Sequence, residues 1–448
     1  MAKSEHRLRA DFGRCFDGLA AIGRDPAGGW TRLAWTGEDR AAREWFRAEA
    51  QALGLEVERD PAGNLWAWWR PTGAGPPPGA DQPPPADQPP DGDRPPGGDQ
   101  PPAAGARRPE TGAVAVGSHL DTVPNGGAYD GALGGVSGLV AVAELARRGV
   151  TPRRPVAVVA FADEEGGRFG LPTFGSRVLA GTLDPASALD RTDQAGTTLA
   201  AALRDAGLDP AALGPDPERL AGLAAFVELH VEQGRGLVDR GAPVGLASAI
   251  WAHGRWRLTL TGEANHAGTT RLADRHDPMF GLAAAVLAAR AAAEELGGVA
   301  TVGRVLVEPN ATNAVAARAT AWLDARAEDD RTLDWLLAAF QAAVEEAAGR
   351  HGLAVDLAPE SRSPAVAFDR DLTGRLAGRL RDQGLEPVEL PTAAGHDAGV
   401  LAASVPAAML FVRNPTGTSH SPAERAEPED CVAGAAALAA VLDELACR

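Results

Sequence analysis

Residues 38–53 carry apolar side chains at Ala42, Trp45, Phe46, Ala50 and Leu53, the spacing of an amphipathic helix, and Gly54 stops it. Short strand-like runs follow at 55–59 and 64–69. AVAVG at 113–117 reads as an apolar strand, 131–148 as a helix of small residues, PVAVVAFA at 155–162 as a second buried strand and AAFVELHV at 224–231 as a third. Strands without polar alternation are buried on both faces. Apolar runs of this kind, separated by helices, predict an α/β fold: a mixed, largely parallel sheet with helices on both faces.

Residues 252–358 follow another rhythm. Trp256, Leu258 and Leu260 alternate with polar positions, as in a strand with one wet face. An alanine-rich helix is predicted over 278–296, strands near 299–307 and 314–325, a helix over 330–349 and a short strand over 352–357. That β-α-β-β-α-β order is the ferredoxin-like arrangement. After about residue 360 the first pattern resumes, so a second domain, 251–359, is expected as an insertion into a first domain built from 1–250 and 360–448. From Pro71 to about Pro109 the composition collapses to Pro, Gly, Asp and Gln, with DQPP recurring. This stretch, 71–110, lacks the apolar content to fold and reads as a solvated, disordered insertion within the first domain.

Composition narrows the partners. A chain of 448 residues exceeds one ordinary core, which agrees with two domains. It has no run of 18 apolar residues, so no membrane span is expected. The polar start, MAKSEHRLRADFGR, has no apolar stretch behind it to act as a secretory signal. Cys15, Cys431 and Cys447 are scattered without CxxC spacing, which indicates neither a disulfide framework nor a cysteine zinc site and fits a reducing cytoplasm. The net charge of −17, with no dense basic run, argues against nucleic acid. An anionic substrate then requires a local arginine to offset the global repulsion.

Four segments carry candidate chemistry. GSHLDTVPNGGAYDG, 117–131, begins at the C-terminal end of a buried strand, where open α/β sheets place their ligands. His119 and Asp121 alternate there with Leu120, and Asp130 lies between glycines that admit close approach to an ion. FADEEGGRFG, 161–170, sets Asp163, Glu164 and Glu165 side by side, which is costly unless a cation neutralises them or one stays protonated. ELHVEQG, 228–234, ends a strand with His230, and RNPTGTSHSPAE, 413–424, places His420 in a loop after AAMLFV. Each alone has a bland reading as a polar turn or a hydrogen-bonded core histidine. Together, histidines and carboxylates at successive sheet C-termini match what a pair of divalent ions requires.

These blocks, with GEANHAGTT, EPNATNAV and AAGHDAG between them, resemble in order and spacing the M20 metallopeptidase clan, and within it the amidase, hydantoinase and carbamoylase family. The likeness covers nearly the whole chain outside the proline-rich stretch. It implies a zinc-peptidase-like catalytic domain with an inserted lid and dimerisation domain, and two divalent metal ions per subunit, zinc or else manganese, cobalt or nickel. His119, Asp130 and His230 would hold one ion, and Asp130, Glu165 and His420 the other, with Asp130 bridging. Glu164 would be the general base, and Asp121 would orient His119. His266 would bind the oxyanion, reaching in from a partner subunit, while Asn313 and Arg326 hold the substrate carboxylate and Gln233 adds a polar contact. Gly395 and His396 would lie beside the substrate.

The implied reaction is hydrolysis of a small ureido carboxylate by a homodimer joined through 251–359. Allantoate is the leading substrate on the resemblance of WAHGRWRLTLTGEANHAGTTRLADR and LPTAAGHDAGVLAA to the family's allantoate amidohydrolases. An N-carbamoyl-L-amino acid or a β-ureidopropionate is the alternative, and a catalytically silent dimeric binding protein the reading from another class. Arg271 and Leu272 depart from the family's usual Pro-Met, His276 from a second arginine, Gly167 from a serine and Ala394 from a glycine. None touches an implied ligand; those at 271 and 394 bear on substrate choice.

Overall fold

The computed structural model describes residues 2–71 and 112–448, so the proline-rich expectation lies almost wholly outside the described residues. A nine-stranded sheet organises the chain. Its strands run in the order Glu56–Arg59, Leu65–Trp69, Val156–Phe161, Ala113–His119, Leu223–Val231, Ala407–Val412, Val244–Ile250 and Val366–Ala367, with Val388–Thr392 also paired to Val244–Ile250. The four central strands, from Val156–Phe161 to Ala407–Val412, are parallel. The flanking pairs beyond them are antiparallel, except that Val388–Thr392 runs parallel to Val244–Ile250. The parallel character read from the apolar runs therefore belongs to the centre, where Ala113–His119, Val156–Phe161 and Ala407–Val412 are buried at every residue.

Helices cover both faces. On one side Ala132–Arg147 and Pro428–Leu442 pack with Arg370–Asp382 and the N-terminal helix Ala2–Ala20 over Val116, Val158, Val227 and Leu410. On the other, Phe174–Leu179, Leu199–Asp205 and Asp397–Leu401 cover Trp66, Phe161, Phe226 and Met409. Ala132–Arg147 sits unusually close to the sheet. A Cβ at Gly134 would run into the Leu229 carbonyl and Ser118, and one at Gly138 into Val158. The helix Ala2–Ala20 was not expected from the polar N-terminus, although Leu8, Phe12, Cys15 and Leu19 recur at helical spacing and form its buried side. The three cysteines are free and buried.

Residues 252–363 form a second, four-stranded antiparallel sheet in the order Ala354–Ser363, Ala252–Thr261, Arg318–Ala327, Val299–Glu308. Taken by chain order, this is fourth, first, third, second. Helices Pro278–Leu296 and Asp330–His351 pack on one face through Leu282, Ala285, Ala289, Leu333, Leu336 and Phe340, against Leu258, Leu260 and Leu323. Asp277 and Asp329 cap their starts through the N–H groups of Met279 and Thr332. The expected strand 314–325 divides. Ala314–Val315 pairs with Asn265–His266, and only Arg318–Ala327 joins the sheet. The jog is held by the Ala317 N–H donating to Glu308 and the Ala317 carbonyl accepting from Gly262. Among the described residues no helix is long and apolar enough to cross a membrane.

Candidate metal centre

The four parallel strands end along one edge of the main sheet, and that edge gathers the chemistry. His119 closes Ala113–His119, and Glu164 and Glu165 follow Val156–Phe161. His230 stands one residue from the end of Leu223–Val231, and His420 lies in the loop after Ala407–Val412. Asp130 sits immediately before Gly131, the residue that caps Ala132–Arg147. Its φ of 65° is a left-handed turn, and a Cβ there would strike the His119 ring, so only glycine admits both the turn and the histidine.

Asp130 is the hub. Its Oδ1 lies 3.4 Å from His119 Nε2 and 3.2 Å from His230 Nε2. Its Oδ2 lies 3.4 Å from His420 Nε2, which is 3.3 Å from Glu165 Oε2. Two three-residue groups thus share one carboxylate, His119–Asp130–His230 and Asp130–Glu165–His420, each with its donor atoms within 4.8 Å of one another. His119 Nδ1 lies 3.1 Å from the Asp121 carbonyl and His230 Nδ1 2.8 Å from the Val231 carbonyl. A carbonyl can only accept, so both Nδ1 atoms carry a hydrogen, and Nε2 is the ring nitrogen that each histidine turns to Asp130.

The electrostatics mark a pocket with surplus negative charge. Burial pushes Glu164 well above the usual carboxylate range, against His119 and with Asp397, Glu165 and Asp121 adding. Burial and Asp130 carry Glu165 to about 7. The hydrogen bond to Asp130 lifts His420 to about 9. Burial opposes a charge on His119, but Glu164, Asp130 and Asp121 outweigh it and raise its pKa. Burial likewise opposes ionisation of Asp130, yet the three imidazoles hold it well below its ordinary value. Glu165 Oε1 is buried with no hydrogen-bond partner among the described residues. Imidazole nitrogens and carboxylate oxygens in this mixture, with a carboxylate oxygen left over, fit divalent cations of the borderline class.

Two backbone features aim the acidic segment. Asp163, at the strand end, has φ of 50°, and His420 has φ of 54°, left-handed values uncommon for residues other than glycine. The Asp121 carboxylate accepts the N–H of Glu164 at 3.2 Å and of Glu165 at 3.1 Å. This differs from the role expected for it. The nearer partner of His119 Nδ1 is the Asp121 main-chain carbonyl, with the carboxylate 3.7 Å away.

The residues expected to grip substrate are distributed otherwise. Gln233 Nε2 donates to Asp130 Oδ2 at 2.9 Å, so it touches the hub itself. His396 is buried with its ring 4.5 Å from that of His230 and its Nε2 unpartnered, and burial with His230 pushes its pKa well down. Gly395 beside it is exposed. Arg326 donates through Nε and Nη2 to Asp324 and through Nη1 to the Ala393 carbonyl at 2.6 Å, which ties the second sheet to the loop before His396. His266 and Asn313 are exposed on the second unit, where the Asn313 carbonyl accepts from Ala267 and His266 Nδ1 from Gly268 and Thr269. None of the three belongs to the two metal-type groups. Sequence reasoning passed over Ser419 and Glu424, whose side chains border Asp130; the only signal was their place in the SHSPAE run around His420.

The family model for "Peptidase family M20/M25/M40" matches residues 115–444. An N-carbamoyl-L-amino acid amidohydrolase of Geobacillus stearothermophilus is 35% identical over 94% of each chain. An allantoate amidohydrolase of Escherichia coli is 31% identical over 96% of each. A solved hydantoinase/carbamoylase family amidase from Burkholderia multivorans superposes with a TM-score of 0.79 at 29% identity, over 99% of this chain and 98% of that one. The chain therefore belongs to the metal-dependent M20/M25/M40 peptidase family, on the side of its hydantoinase and carbamoylase amidases.

Proposed function

We propose that this chain is a dinuclear amidohydrolase that cleaves the ureido C–N bond of allantoate, with ammonia and carbon dioxide released as the carbamate product decomposes. The observation that carries the reading is Asp130, whose two carboxylate oxygens face two separate sets of donors with Glu164 alongside. His119, Asp130 and His230 would hold one ion and Asp130, Glu165 and His420 the other. A pair of divalent ions supplies an acidified water and a polarised carbonyl.

The protein's own groups do the rest. Glu164 is buried and lies 3.6 Å from His119 Nε2. It takes the proton of the attacking water and delivers it to the departing nitrogen. His266 donates to the tetrahedral oxyanion, the position at which preorganised donors contribute most. Arg326 and Asn313 bind the substrate carboxylate, and Arg326 exchanges the Ala393 carbonyl and Asp324 for it; its planar fork suits a carboxylate. Gln233 holds the hub carboxylate in place.

The homodimer is proposed through residues 251–359. Leu53 apart, every large exposed hydrophobic residue of the described chain lies between Leu272 and Trp335. Most sit on the helix Pro278–Leu296 or on the edge strand Val299–Glu308, a surface that a monomer rarely leaves bare.

A second substrate reading, an N-carbamoyl-L-amino acid, is favoured by the Geobacillus relative. Ammonia release from allantoate and from a panel of N-carbamoyl-L-amino acids, on metal-loaded protein, separates the two. Glu164→Gln should keep its metal content and lose turnover by several orders of magnitude. A variant with near wild-type turnover would remove Glu164 as the base.

A further inference from the structure

We infer that Glu424 is the positioning residue of the metal centre: it presets the bridging carboxylate by clamping the backbone at Asp130 and the loop that carries His420 at the same time. The inference rests on the dinuclear reading of Asp130. Glu424 is buried, and its Oε1 accepts the N–H of Tyr129 at 2.9 Å and of Asp130 at 3.0 Å. Its Oε2 lies 2.8 Å from the Ser419 hydroxyl, which is itself 3.0 Å from Asp130 Oδ2. Gln233 Nε2 reaches both Asp130 Oδ2 and, at 3.3 Å, the Ser419 oxygen. One carboxylate therefore fixes the main chain of the hub residue. Ser419, whose one hydrogen can go to either carboxylate, stands between Glu424 and the hub side chain, on a loop whose next residue is His420.

A Cβ on Gly127 would overlap the Glu424 carboxylate, so the glycine three residues before Asp130 is required by the clamp, as Gly131 on the other side is required by His119. Glu424 is held in turn by its own N–H donating to the Ser421 carbonyl at 3.0 Å. An aspartate free to rotate would offer its two oxygens to one ion as readily as to two. Glu424 and Ser419 remove that freedom before any ion arrives, and groups that orient ligands in this way commonly carry roughly 10–100-fold in metal affinity.

The test is Zn2+ affinity of the full-length, metal-stripped protein, measured by competition with a chelator, together with thermal melting of the stripped protein to show that each variant is folded. Glu424→Ala should bind Zn2+ roughly 10–100-fold more weakly than wild type. Glu424→Gln, whose amide oxygen still accepts the two N–H groups, should recover most of that loss, a rescue that a mere filling of space would not predict. Should Glu424→Ala fail to fold, Ser419→Ala, which removes only the hydroxyl link, and Gly127→Ala, which displaces the clamp from the opposite side, are expected to weaken Zn2+ in its place. Unchanged Zn2+ affinity in folded Glu424→Ala, or in both substitutes, overturns the inference. Wild-type protein that binds no Zn2+, Mn2+ or Co2+ overturns the dinuclear reading itself, and this inference with it.

Discussion

Asp121 illustrates how far a residue's role depends on which of its atoms points where. Its carboxylate holds the N–H groups of Glu164 and Glu165, so both acids are aimed through their main chain. Asp121→Ala should leave those two buried donors unsatisfied, lower unfolding free energy in urea by about 1–3 kcal/mol and cut kcat more than it alters KM. Asp39 lies further from the chemistry and offers a pH test. It is buried, accepts the Trp35 N–H at 2.8 Å, and is raised to about 6 by burial, eased by Arg43 and reinforced by Asp121. A carboxyl whose folded pKa exceeds its unfolded value takes up a proton on folding between the two. It therefore destabilises the fold increasingly as pH rises from about 4 to about 6, and fully above that. Asp39→Asn keeps an oxygen for Trp35 and removes the penalty. Its melting temperature should exceed wild type at pH 7–8, with the difference shrinking toward pH 4; a gain that stays constant with pH would refute the assignment.

At the scale of elements, the helix Ala132–Arg147 decides where two of the candidate ligands stand. Gly134 lets it lie against Ser118 and the Leu229 carbonyl, the residues that immediately precede His119 and His230. Overpacking at such a contact typically costs about 1–3 kcal/mol. Gly134→Ala should lose that much in urea unfolding and also weaken Zn2+ binding, because the helix can move away only by shifting both strand ends. A loss of stability with unaltered metal affinity would show that the strand ends are positioned without the helix. The central parallel strands explain the clustering itself. Parallel neighbours finish at the same edge, so residues far apart in the chain meet there, whereas the antiparallel flanks contribute none of the candidate ligands.

At the scale of the molecule, the candidate residues fall into two parts of the chain. The five residues of the two metal-type groups and Glu164 belong to the part of the chain built on the nine-stranded sheet, whereas Arg326 is on the second sheet and His266 and Asn313 are at the short ribbon beside it. A second copy docked on the bare helix and edge strand would cover Leu287, 72% exposed, and Leu272, 80% exposed. Leu287→Glu should convert the protein from dimer to monomer in sedimentation velocity. It should also depress ammonia release if His266 serves the partner's site. A monomeric wild type would remove the proposed interface.

Much of this was legible in one sequence. Uninterrupted apolar runs announced buried strands, alternation at Trp256, Leu258 and Leu260 announced a strand with one wet face, and the order of elements over 252–358 announced the second topology, because each is a local consequence of which side chains water can reach. A metal site could be suspected because three adjacent acids and strand-end histidines had few cheaper explanations taken together, while the five residues of the two groups were singled out by the family resemblance. The fold alone decided what depends on approach between distant segments. It gave Asp130 its two faces, turned the Asp121 carboxylate to the backbone of Glu164, bound Arg326 to Ala393 and set Glu424 against Gly127. No period or propensity encodes those pairings, since a hydrogen bond across 295 residues depends on where both ends finish in space.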